Sequence, residues 1–147
     1  MSPHREIPRR RSREAALQVL YALDLAPEPG EARAAAVFDA VGDSFELPEG
    51  ARSFAKELVF GVAGEREELD ARIRAVARNW RLERMAVVDR NVLRLAAFEL
   101  VHGQVPTPVV LDEAVELARR FGGEASPGFV NGVLDELARQ LREGAGA

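Results

Sequence analysis

Residues 86–102 read AVVDRNVLRLAAFELVH, the most continuously apolar segment of the chain. Val87, Val88, Val92, Leu93, Leu95, Phe98, Leu100 and Val101 leave no wide polar stripe at helical spacing. A helix apolar nearly all round must be buried by other elements. Gly103 to Pro106 closes it. Downstream, Thr107-Pro108 sets a capping hydroxyl before a proline and predicts a helix through Arg120, ended by Phe121-Gly122-Gly123. Ser126-Pro127 repeats the device and opens a last helix through about Arg142.

Working back from the central segment, Trp80 to Met85 reads as a connector or single turn. From Pro48 to Arg78, Phe54, Leu58, Val62, Leu69, Ile73 and Val76 recur at three- to four-residue steps. That spacing suits one long helix, with Gly61 and Gly64 read as sites of close helix packing or as a break. Glu31 to Val41 places Ala34, Val37, Phe38 and Val41 on one face. Arg13 to Ala26, capped by Ser12, places Leu17, Leu20, Tyr21 and Leu25 on one face. No segment has the alternation of a sheet strand. The expectation is all-α, with about seven helices and no internal repeat.

The 147 residues favour one domain. Residues 1–11 are expected to form a flexible basic arm, and 12–147 a single helical domain. The formal net charge is −4 and the sequence pI about 5.3, but the charge is unevenly placed. In residues 1–13, Arg5, Arg9, Arg10, Arg11 and Arg13 face Glu6 alone, a surplus of four positive charges. The rest of the chain therefore carries an excess of eight negative ones. A basic end on an acidic body admits nucleic acid where the average alone would argue against it.

Most chemistries are excluded by what is missing. With no Cys, there is no disulfide, thiolate metal site or thiol nucleophile. His4 and His102 have no metal-ligand spacing, and neither a phosphate-binding glycine loop nor a nucleophile–base signature occurs. The adjacent acid pairs Asp112/Glu113 and Asp135/Glu136 diverge on a helix. No apolar run approaches the ~20 residues of a membrane span. We expect a non-enzymatic, cofactor-free cytoplasmic protein.

Three polar features remain. Glu99 falls inside the most apolar helix, and burial demands a partner, so an ion pair with Arg90, Arg94 or a neighbouring helix is expected. The RRRSR run at Arg9 to Arg13 concentrates guanidinium forks, which suit phosphate oxygens. Charge alone leaves two readings open: an RNA-binding segment, or a tail matched to an acidic protein. The Phe121-Gly122-Gly123-Glu124-Ala125-Ser126-Pro127 link presents small residues between two helix ends, either as a tight αα corner or as a contact site.

RRRSREAALQVLYALDL, LRLAAFELVH and VLDEAVELARRFGGEASPGFVNGVLD together resemble the NusB family of bacterial transcription antitermination factors. The resemblance covers the first helix and most of Arg78 to Leu137. It implies two packed helical bundles acting without catalysis. It also implies binding to the ribosomal protein NusE and to single-stranded boxA RNA, within an RNA polymerase antitermination complex that promotes processive rRNA transcription. Some relatives self-associate, so a homodimer is an alternative state, and a protein–protein scaffold without RNA recognition is the alternative function.

Carried over by motif, Arg9, Arg10, Arg11 and Arg13 match the family's basic run, and Gln18 and Tyr21 match polar and aromatic positions near RNA. Arg119, Glu124 and Ser126 match the corner where base contacts are implied. Asp89 and Phe129 are assigned to the protein-partner face. Two positions depart from the pattern. Ala125 replaces an acidic residue of some members, and Phe98 replaces a frequent Tyr, which removes a hydroxyl.

Overall fold

A computed structural model describes residues 6–25 and 31–146. Among them are seven α-helices: α1 Glu6–Leu25, α2 Glu31–Phe45, α3 Glu49–Gly64, α4 Arg66–Val76, α5 Val87–His102, α6 Thr107–Phe121 and α7 Ser126–Gly146. A 3-10 turn at Leu82–Arg84 precedes α5, and no described residue is in a strand. The all-α expectation holds. No described helix is long and apolar enough to cross a membrane.

The helices fall into two compact units divided between Gly64 and Glu65. In the first, α1 packs on α2 and α3. Leu17, Val19, Leu20, Ala34, Phe38, Leu58, Val59 and Val62 form its core. In the second, α5 packs against α4, α6 and α7. Asn91 to Glu99 are buried without interruption, as a helix with no polar stripe requires. The first unit therefore has three α-helices and the second four.

Several boundaries differ from the sequence reading. The helix expected from Arg13 opens at Glu6, so Arg9, Arg10 and Arg11 are helical. Pro8 permits this, because a first-turn residue has no intrahelical N–H partner to lose. Residues 1–5 of the expected arm lie outside the described residues. The single helix expected over 48–78 is two, broken at Glu65. A Cβ at Gly64 would meet nothing within 4 Å, so this glycine ends a helix and accommodates no close neighbour. Thr107 is not a cap: Pro106 is the N-cap, no side chain caps α6, and the Pro106 carbonyl accepts the Val109 and Val110 amides. The prediction of Gly103 as a terminator is met by a left-handed φ of 65° that favours glycine.

The central helix carries a buried ion pair through Arg94, whose acid is Asp70 of α4. Arg94 donates Nε and Nη2 to the two oxygens of Asp70 on α4 at 2.7 and 3.1 Å, and Nη1 to Asn91 Oδ1 at 3.1 Å. Asn91 in turn donates Nδ2 to the Val87 carbonyl at 2.8 Å. Glu99 is buried on the same helix, and Arg90 reaches the Glu83 carbonyl at 3.2 Å. Phe98 is buried with its ring against His102, 4.4 Å between centroids.

Candidate nucleic-acid interface

The buried stripe of α1 is made largely of small residues. Ser12, Ala15, Ala16, Leu17, Val19 and Leu20 face inward, and the Ser12 hydroxyl donates to the Ala51 carbonyl of α3 at 2.7 Å. Ser12 is thus a mid-helix anchor. This close approach leaves the large residues Tyr21 and Leu25 at 39% and 59% exposure, outside the buried stripe, although their spacing groups them on one face with Leu17 and Leu20. Weighing only bulky apolar residues misplaces the stripe.

The same helix orientation sorts the basic run into two sets. At about 100° per residue, Arg10, Arg11, Gln18 and Tyr21 share an outward arc of roughly 100°. All four are exposed. Arg11 also donates Nη2 to the Phe45 carbonyl at 2.7 Å, satisfying a group at the C-terminus of α2 that has no helical partner. Arg9 and Arg13, one turn apart, lie on the α3 side over the ring of Phe54, with guanidinium carbons 4.7 and 5.5 Å from its centroid. Arg13 is buried and Arg9 exposed. The first unit thus presents cations beside an accessible aromatic ring.

The second unit contributes the α6–α7 corner. Ser126 is buried, and its Oγ accepts the Gly123 N–H at 3.0 Å while its own amide bonds the Gly123 carbonyl at 3.0 Å. Gly122 is obligatory: a Cβ there would lie 2.7 Å from Ser126 Cβ and Oγ and 2.8 Å from the Ala118 carbonyl oxygen. The corner therefore turns tightly, with Gly123, Glu124 and Ala125 exposed at its tip. Arg119, also exposed, donates Nη1 to Glu116 Oε2 at 2.7 Å.

Of the residues assigned to a protein partner, Asp89 lies in the first turn of α5 with a buried Oδ1 that lacks a hydrogen-bond partner. Phe129 on α7 meets the edge of Trp80, with centroids 5.3 Å apart and planes at 71°. Trp80 is 61% exposed. The two rings line a cleft of about 460 Å³ with Val76, Gly132, Val133 and Glu136, a lining that does not include Asp89. The sequence places Trp80 only in a connector. Its signal was being the single Trp of the chain, placed just after a helix end. Among the described residues no group of three acidic or histidine side chains is arranged to hold a metal ion.

Fold and surface together define an all-helical protein whose assigned polar residues lie on helix surfaces and at a corner. A family model described as the NusB family matches residues 10–139. The chain is 53% identical over 132 residues to the transcription antitermination protein NusB of Sorangium cellulosum, covering 88% of this chain and 90% of that one. Its fold matches the structure of T. maritima NusB with a TM-score of 0.82 at 34% identity, over 89% of this chain and 90% of the other. A structure of the antitermination factors NusB and NusE in complex with double-stranded RNA matches with a TM-score of 0.80 at 30% identity, over 90% and 97% of the two chains. The chain belongs to the NusB family.

Proposed function

We propose that this protein is a non-catalytic antitermination factor that binds boxA-type single-stranded RNA together with NusE. In this reading the pair joins the RNA polymerase antitermination complex in the cytoplasm and promotes processive rRNA transcription. The observation that carries the reading is Tyr21, an aromatic ring exposed on the same helical arc as Arg10, Arg11 and Gln18. Cations fix phosphates, while an exposed ring can stack only on an unpaired base. The neighbour described above as holding NusE and double-stranded RNA supports both partner types.

Each assigned residue then has its own task. Arg10 and Arg11 neutralise phosphates. Arg9 and Arg13 add positive field from the Phe54 side, Arg13 from a buried position. Gln18 and Tyr21 contact bases. At the corner, Ser126 holds the turn that presents Glu124, and Arg119 supplies a further cation. Ala125 offers no acid at the tip, so base preference there rests on Glu124. Asp89 and Phe129, with Trp80, form the face for NusE, whose basic surface suits an acidic body.

Fluorescence anisotropy of labelled boxA-type RNA across a salt series tests the phosphate contacts. The Arg10→Ala/Arg11→Ala variant is expected to bind more weakly and to flatten the dependence of log affinity on log salt by about one to two units. An unchanged slope contradicts it.

A second reading, a protein scaffold without RNA recognition, draws on Arg11 and Arg13 being engaged inside the first unit. It requires full partner binding after ribonuclease treatment and no protection of α1 by RNA. Sedimentation at several concentrations separates either reading from a homodimer that covers α1.

A further inference from the structure

Phe54 holds two guanidiniums on one ring. Arg9 and Arg13 are one helical turn apart on α1, and two like charges at that spacing repel. The ring on α3 draws both, at 4.7 and 5.5 Å. Ser12, between them, ties α1 to α3 through Ala51, three residues before Phe54, so the ring is set in register with the arginines. Arg13 is buried in this arrangement while Arg9 stays exposed.

Resting on the RNA-binding reading above, we propose that Phe54 is a positioning residue for RNA phosphate recognition, seating Arg9 before RNA arrives. A ring occupies the flat face of a guanidinium and leaves its in-plane N–H groups to donate to phosphate oxygens. A free arginine side chain must surrender rotamer freedom on binding, and one already stacked has surrendered much of it. Phe54 itself touches no RNA. It acts through Arg9.

The test is a double-mutant cycle in the full chain, read by RNA affinity over a salt series. Phe54→Leu, which removes the ring and keeps an apolar side chain, should weaken RNA binding about two- to fivefold, the range of an exposed cation–π contact. Phe54→Tyr and Phe54→Trp should retain wild-type affinity. In an Arg9→Ala background, Phe54→Leu should cause no further loss. Before RNA is added, the Arg9 Hδ and Hε resonances should show ring-current shifts that Phe54→Leu abolishes.

Additive losses from Arg9→Ala and Phe54→Leu, or no rescue by either aromatic variant, overturn the inference and leave the RNA reading standing. A wild-type chain without RNA affinity overturns both.

Discussion

Arg94 of α5 and Asp70 of α4 form a buried two-pronged ion pair, with Nε and Nη2 at 2.7 and 3.1 Å from the two carboxylate oxygens. Arg66 adds a longer contact to Asp70 at 3.9 Å. Removing one member strands a desolvated charge, so Asp70→Ala should cost about 3–5 kcal/mol of unfolding free energy. The double variant Asp70→Leu/Arg94→Met should recover most of that loss in urea denaturation. A loss equal to the sum of the single variants contradicts the pairing.

Two glycines should respond in opposite directions. Gly122→Ala drives a Cβ against the Ala118 carbonyl, which cannot yield, and should destabilise by roughly 1–3 kcal/mol. Gly132→Ala, inside α7 with nothing within 4 Å, should stabilise by about 0.5–1 kcal/mol through helix propensity. Thermal melts of the two variants compare them directly.

Glu83 supplies a pH-dependent contact. A backbone N–H hydrogen bond at the 3-10 turn, opposed by partial desolvation and assisted by Arg74 with Nη2 3.3 Å away, holds its carboxyl below the ordinary glutamate range. A depressed folded-state pKa contributes stability that is present above the unfolded value and lost as pH falls through the folded one. NMR titration should therefore place Glu83 among the later carboxylates to protonate on acidification. Glu83→Gln should reduce the slope of stability against pH below the ordinary glutamate pKa and leave the neutral-pH slope unchanged.

Tyr21→Ala should weaken RNA binding by about 1–3 kcal/mol if the ring stacks on a base, with little change in melting temperature because the ring is exposed. Tyr21→Phe should keep the affinity. A melting temperature that falls with the affinity would instead mark Tyr21 as structural.

At the Trp80–Phe129 cleft, Trp80→Ala should weaken binding of NusE by 2 kcal/mol or more, on the order of a buried aromatic hot spot, and leave binding of RNA alone unchanged. Calorimetry with each ligand separates the two effects.

The sequence carried the fold class because 86–102 has no polar face, and the helix ends at Gly103 and Gly122 needed no tertiary information. It did not carry Asp70, one acid among several on a charged helix, whose role depends on facing Arg94 across the second unit. Nor did apolar spacing separate exposed Tyr21 and Leu25 from buried Leu17 and Leu20, a division that goes with the Ser12 hydroxyl tying α1 to Ala51 of α3. The arginine run was legible as a cluster. Its division into an outward pair and a pair over Phe54 required the helix to begin at Glu6, which Pro8 in its first turn concealed.

Sequence-selective RNA binding assisted by NusE is what separates the proposed antitermination factor from a protein scaffold. The most direct measurement is the dissociation constant of the chain for boxA-type RNA and for a scrambled RNA of equal length, each with and without NusE at one fixed salt concentration. Binding should be tighter to boxA-type RNA, with a further gain from NusE for that RNA. Equal affinity for both RNAs, with no gain from NusE, would contradict it.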